Sequence, residues 1–78
     1  MKKIQIYGTG CPKCNKLQQH AEEAAKNIGL DYEIEKVEDM NDIMAAGIMM
    51  TPGLGIDGKV VSTGRLLKVK QIEDILNN

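Results

Sequence analysis

Apolar and polar positions follow a short succession of periodicities along the chain, and each change of period marks an element. Lys2 to Tyr7 alternates, with Ile4 and Ile6 on one face and Gln5 and Tyr7 on the other, which predicts a strand. Gly8-Thr9-Gly10 breaks it. From about Pro12 to Ile28 the spacing becomes three and four: Cys14, Leu17, Ala21, Ala24, Ala25 and Ile28 form one helical stripe, and Gly29 offers the left-handed residue that ends it. Asp31 to Val37 alternates again, Tyr32 and Ile34 against Glu33 and Glu35, as in a half-exposed strand. Asp39 is a cap for a short second helix whose Met40, Ile43 and Met44 are expected to face inward and which Gly47 ends. Leu54 to Ile56 and Lys59 to Thr63 read as two strands joined at Asp57-Gly58, a pair suited to a turn with two positive φ angles. A last helix carries Val69, Ile72, Ile75 and Leu76 on one side, with Lys68 where a capping Ser or Asp would be expected.

The order is therefore βαβαββα. A strand–helix–strand unit needs a crossover, so the first two strands are expected to be parallel neighbours, and the hairpin adds two antiparallel strands. The expected class is α/β: a four-stranded mixed sheet flanked by three helices. A chain of 78 residues is enough for one domain and not for two, so residues 1–78 are read as a single domain.

Composition narrows the function. Net charge is −1, with 10 basic and 11 acidic residues interspersed, and Tyr7 and Tyr32 are the only aromatics. There is no basic stripe for phosphates and no stacking platform, so nucleic acid is not an expected partner. No apolar run approaches the roughly 20 residues that span a bilayer, and the N-terminus turns polar too early for a signal peptide. The expected setting is the cytoplasm, without a membrane partner and as a monomer. In that compartment a close cysteine pair is redox-active or metal-binding more often than it is a staple.

Cys11-Pro12-Lys13-Cys14 stands at the junction of the first strand and first helix. Cys11 falls at the N-cap, where its sulfur can accept a hydrogen bond from the unpaired amide of Cys14. The positive end of the helix dipole favours a thiolate, and Lys13 adds a nearby positive charge of smaller weight. Sites of this kind lower a cysteine pKa from about 8.5 into the range of roughly 3.5–7.5. Pro12 suits the first helical position, where its missing N–H has no intrahelical partner, and it stiffens the turn. Cys14 lies on the buried stripe. An exposed attacker and a shielded partner three residues on can divide a thiol–disulfide exchange between them, Cys11 as nucleophile and Cys14 as resolving thiol.

The whole chain resembles the small, minimal thioredoxin-like proteins, and Ile4-Gln5-Ile6-Tyr7-Gly8-Thr9-Gly10-Cys11-Pro12-Lys13-Cys14 is also similar to the opening of glutaredoxins. A second block, Gly47 to Val61, carries Thr51-Pro52 where thioredoxin-like folds open their third strand with a cis proline facing the C-x-x-C. The resemblance implies a minimal thioredoxin-like α/β fold with sheet order 2-1-3-4, a cis Pro52, and a Thr51 whose backbone pairs with an extended client peptide. It implies a disulfide oxidoreductase with no cofactor beyond the Cys11–Cys14 pair, acting on protein disulfides and recharged by a thioredoxin-reductase-like enzyme. The chain departs from thioredoxins proper at Gly10, where they carry Trp, and at Gln5, in a strand where they carry a proton-shuttling acid. Thr63-Gly64-Arg65-Leu66 replaces the Gly-Gly-x-Asp-like segment with which glutaredoxins hold glutathione. Gly53 and Gly55 replace apolar residues, leaving either a shallow groove beside Pro52 or a loosely packed strand.

The remaining candidates have plain readings. His20 is six residues from Cys14, on another helical face, and is expected to be a solvated surface residue. The methionines read as gap-fillers rather than a soft-metal site, so no metal ligands are expected. The rival function is a Cu(I)-type metal-binding module using the same C-x-x-C. Such modules run βαββαβ, so the element order discriminates.

Overall fold

A computed structural model describes residues 1–77. Its elements are β1 (Lys2–Tyr7), α1 (Pro12–Asn27), β2 (Tyr32–Val37), α2 (Met40–Ala45), β3 (Gly53–Ile56), β4 (Lys59–Thr63) and α3 (Val69–Leu76). They form one four-stranded sheet in the order β2-β1-β3-β4. β1 pairs in parallel with β2 and antiparallel with β3, and β3 pairs antiparallel with β4 across a bulge after Leu54. This is the α/β mixed sheet that the periodicities imply, in the thioredoxin-like arrangement that the resemblance implies. The order is not that of a copper-chaperone module.

Central β1 is buried on both faces, from Ile4 through Tyr7. One face packs under α1 and α3: Ile4, Ile6 and Leu54 of the sheet meet Leu17, Ala21, Ala24 and Ala25 of α1 and Ile72 and Leu76 of α3. The three alanines let α1 lie close to its neighbours, so the larger Leu and Ile side chains fill the layer; each contributes about 1.5–3 kcal/mol on burial. Side-chain ties reinforce it. His20 Nδ1 lies 2.8 Å from the Leu67 carbonyl, and Asn27 donates to Glu73 at 3.0 Å. His20 is thus not the free surface residue expected of it. The acceptor is a carbonyl, so its Nδ1 carries the proton and fastens α1 to the segment entering α3.

Among the described residues the other face is covered by α2 and by Ile48, which follows it. Asp39 caps α2, accepting from Asn41 N–H at 2.8 Å, and Gly47 ends it at φ +82°. Of the three side chains expected inside, only Ile43 is buried; Met40 and Met44 are 52% and 65% exposed. A six-residue helix makes fewer than two turns, so one anchor and the following Ile48 satisfy its whole inward face. α3 begins at Lys68 without a side-chain oxygen cap. Gln71 reaches back instead, its Oε1 accepting from Lys68 N–H at 2.8 Å.

The β3–β4 turn has Asp57 at φ +52° and Gly58 at φ +87°, as the hairpin reading requires. Asp57 Oδ1 accepts from Lys3 N–H at 2.9 Å, Asp57 N–H donates to Lys3 O at 2.7 Å, and Lys2 Nζ lies 3.3 Å from Oδ2. The Lys3 amide first, and Lys2 after it, hold the Asp57 carboxyl below its ordinary range. A lowered folded-state value means this group's contribution is complete above the unfolded carboxylate value and is lost as pH falls through the folded one. Asp57→Asn is accordingly expected to lower Tm at neutral pH by a few degrees and to flatten the acid side of the Tm-against-pH curve. An acid limb of unchanged slope would show that the carboxylate contributes nothing.

Candidate active site

β1 ends at Tyr7, Gly8 donates its N–H to Val37 O at 3.0 Å, and the chain turns through Gly10 at φ +86° into α1. Cys11 is the N-cap, in extended conformation at φ −68° and ψ 160°, and Pro12 opens the helix. Cys14 N–H donates to Cys11 Sγ at 3.3 Å, and Asn15 N–H donates to Cys11 O at 3.1 Å. The two sulfurs are joined as a disulfide, with Cα atoms 5.1 Å apart. Cys11 is half-buried, Pro12 and Lys13 are exposed, and Cys14 is only 4% exposed. The outer sulfur therefore lies where amide and dipole favour negative charge, and the inner one against the sheet.

The inner sulfur has a specific seat. A Cβ built on Gly8 would overlap Cys14 Sγ and come within 3.0 Å of Cys14 Cβ. Gly8 is glycine for space: the sulfur occupies the volume that any other residue would fill. This role was missed in reading the sequence, where Gly8 registers only as a strand breaker. The signal available was a second glycine two residues before the Gly10 that the turn needs.

Thr51-Pro52 lies across from this seat. The last pair of the β1–β3 ladder is Tyr7 with Gly53, so the next antiparallel step sets Pro52 opposite Gly8. The Thr51–Pro52 bond is cis, and Pro52 is fully buried while Thr51 is exposed. Pro52 O accepts from Gly64 N–H at 2.8 Å, tying the segment to the end of β4. Among the described residues Thr51 makes no backbone hydrogen bond inside the chain. Met49 and Met50, just before it, are 95% and 68% exposed, and the Met50 side chain runs along Gly64.

Gly53 and Gly55 leave neither a groove nor a loose strand. A Cβ on Gly53 would lie 2.8 Å from Ile48 Cδ1, and one on Gly55 would lie 2.9 Å from Tyr7 Cε2 and 3.0 Å from Gln5 Oε1. The two glycines form a shelf that carries the Tyr7 ring and the Gln5 amide. Gln5 is 3% exposed, and its Oε1 accepts from Gly58 N–H at 3.1 Å, so this side chain is committed to the hairpin turn. Among the described residues no group of three or more His, Cys, Asp or Glu is placed to hold a metal ion, and no helix is long and apolar enough to cross a membrane.

Comparison with known proteins agrees with this geometry. The thioredoxin domain family matches residues 2–77. The chain is 46% identical over 77 residues to a thioredoxin of Methanothermobacter thermautotrophicus, covering 99% of this chain and 100% of that protein. It is 40% identical over 75 residues to a thioredoxin of Methanocaldococcus jannaschii, covering 96% and 86% respectively. A strand-to-helix cysteine pair on this sheet, in a chain matched over almost its full length by these two thioredoxins, makes the chain a thiol–disulfide oxidoreductase belonging to the thioredoxin family.

Proposed function

We propose that the protein, working as a single monomeric domain over residues 1–78, reduces disulfides of cytoplasmic proteins through Cys11 as attacking thiolate and Cys14 as resolving thiol. The observation that carries this is the Cys14 N–H directed at Cys11 Sγ at 3.3 Å, at the opening of a 16-residue helix. The amide and the dipole stabilise a thiolate at Cys11 and leave Cys14 as the protonated reserve. Pro12 holds the turn, and Lys13 adds a screened positive charge.

In the forward direction Cys11 thiolate attacks one sulfur of the client disulfide. The client's S–S bond breaks, a Cys11–client disulfide forms, and the other client sulfur leaves as thiolate and takes up a proton. Cys14 then loses its proton and attacks Cys11 Sγ, forming the intramolecular disulfide and releasing the client's second thiol. Two electrons have passed from the Cys11–Cys14 pair to the client, and no cofactor beyond the pair takes part. Reduction of that disulfide by a thioredoxin-reductase-like partner closes the cycle. The free backbone of Thr51 and the cis Pro52 facing the pair support an extended client segment laid beside the disulfide.

Alkylation of the reduced protein against pH tests the reading, together with turnover of a disulfide-bonded protein substrate. Cys11 is expected to react as a thiolate with a midpoint at least about one unit below the ordinary 8.5. A midpoint at 8.5, or no turnover alongside tight Cu(I) binding through both sulfurs, overturns it.

A further inference from the structure

Four of the chain's five methionines fall between residues 40 and 50, and each of the four is more than half exposed. Gap-filling, the ordinary use of methionine, does not account for them. Their outward placement follows from how α2 ends. Gly47 N–H donates to Met44 O at 2.9 Å and Ile48 N–H donates to Ile43 O at 3.2 Å, the paired bonds of a left-handed helix stop. Ile48 is buried there with Ile43 in the small cluster beneath the helix, and Met49, the next residue, is left outside. Met40 and Met44, four residues apart on α2 and so on one side of it, line a groove together with Gly47, Ile48 and Met49. No charged residue belongs to that lining.

The place of this groove says what covers it. Met49 is two residues before Thr51, so their Cα atoms are at most about 7 Å apart. Thr51 makes no backbone hydrogen bond inside the chain among the described residues, and Pro52 after it stands opposite Gly8, the seat of the inner sulfur. Met50, between Met49 and Thr51, carries the exposed apolar surface on along Gly64. The thioether lining therefore runs directly into the backbone on which the exchange seats its client. An extended client segment rises about 3.3 Å per residue, so one paired at Thr51 reaches the groove within two or three residues.

We infer that the groove lined by Met40, Met44 and Met49 takes up one large apolar side chain, aliphatic or aromatic, of the client protein, close in sequence to the client's reacting cysteine. The inference rests on the proposed exchange at Cys11 and names the chemistry of the clients that the site favours. Thioether side chains are unbranched and polarisable, so the three methionines can close round residues of different shape, and the groove selects for apolar character over outline. The gain is desolvation: client and methionine surfaces leave water together. A charged client residue at the same place gives up hydration and finds no partner in the lining.

Disulfide-linked peptides that carry a single Leu, Ala or Lys between two and four residues from the cysteine, on either side, test this. At the best position the Leu peptide is expected to exceed the Ala peptide about tenfold in kcat/KM, through KM, and the Lys peptide to fall below both. The preference is expected to persist at about 1 M salt, where charge effects are screened. In Met44→Gln/Met49→Gln, both at exposed positions, the Leu-to-Ala ratio is expected to fall about fivefold, and in Met44→Leu/Met49→Leu to return to about tenfold, since apolar surface is restored without sulfur. Equal reduction of the Leu and Ala peptides at every position by the unaltered protein, or an undiminished ratio in the Gln variant, overturns the groove and leaves the exchange reading standing. A ratio lost in the Leu variant overturns it too, by giving the role to the sulfurs themselves. With no Leu preference, a dimer that the Gln variant abolishes in sedimentation assigns the face to a second copy of the chain. Failure to reduce even the Ala peptide strikes at the exchange reading itself.

Discussion

Cys14→Ser is expected to halt the protein as a covalent adduct with its client. The substitution keeps the backbone N–H that faces Cys11 Sγ at 3.3 Å, so the attacking thiolate retains its stabilisation. It removes the only other thiol in the sequence, and a serine hydroxyl does not attack a disulfide at neutral pH. The first step therefore proceeds and the second does not. A one-to-one adduct should accumulate within the time of a single turnover, visible by non-reducing electrophoresis or intact mass and released by a small thiol. Steady-state reduction should drop at least about 10³-fold, the scale on which loss of a nucleophile registers. Cys11→Ser should lose turnover equally and form no adduct, since Cys14 is 4% exposed and cannot reach a client first. Adducts of equal yield from both variants would abolish the assignment of roles.

Gly8→Ala is expected to have the next largest effect, although it alters no chemical group. The added methyl would enter the volume held by Cys14 Sγ, and it is fixed to the backbone of a residue tied to Val37 O. Neither side yields without moving the end of β1 or the first turn of α1. Overpacking of this kind costs about 1–3 kcal/mol. A domain of this size has a total stability of about 4–12 kcal/mol, and each lost kcal/mol lowers Tm by about 4–8 °C. The displaced sulfur should also resolve the Cys11–client adduct more slowly, while Cys11 attacks at its former rate. Thermal melting and rapid-quench kinetics measure the two effects separately. A variant that melts within about 2 °C of the parent and clears its adduct equally fast would refute the close-packing argument.

Much of this architecture was legible in the residues. Element order and the bounds of β1 and β4 follow from periods of two and near 3.6, the sheet order follows from the thioredoxin-like resemblance, and the N-cap position of Cys11 follows from Pro12 and the stripe through Cys14. These are local signals, repeated over several turns or pairs. What escaped depends on partners distant in sequence. Met40 and Met44 have the same spacing whether α2 buries two turns or only Ile43. The tie from His20 to Leu67 spans 47 residues and leaves no mark in helical periodicity. Gly53 and Gly55 suggest open space until the Tyr7 ring and Ile48 are set upon them. Gly8 reads as punctuation until the sulfur that fills its missing side chain is located.

The sheet's two coverings are unequal. Ten buried residues knit β1 and β3 to α1 and α3, whereas among the described residues the cluster under α2 has three buried members, Tyr7, Ile43 and Ile48, with Val37, Ala46 and Val60 half-buried beside them. Segments held by few buried contacts are the first to open in a folded domain. The α2 side is thereby expected to open first, while α1, with Cys14 in its first turn and Cys11 at its cap, stays seated on the larger cluster. Hydrogen exchange is expected to begin in α2 and to reach the layer that positions Cys11 and Cys14 last.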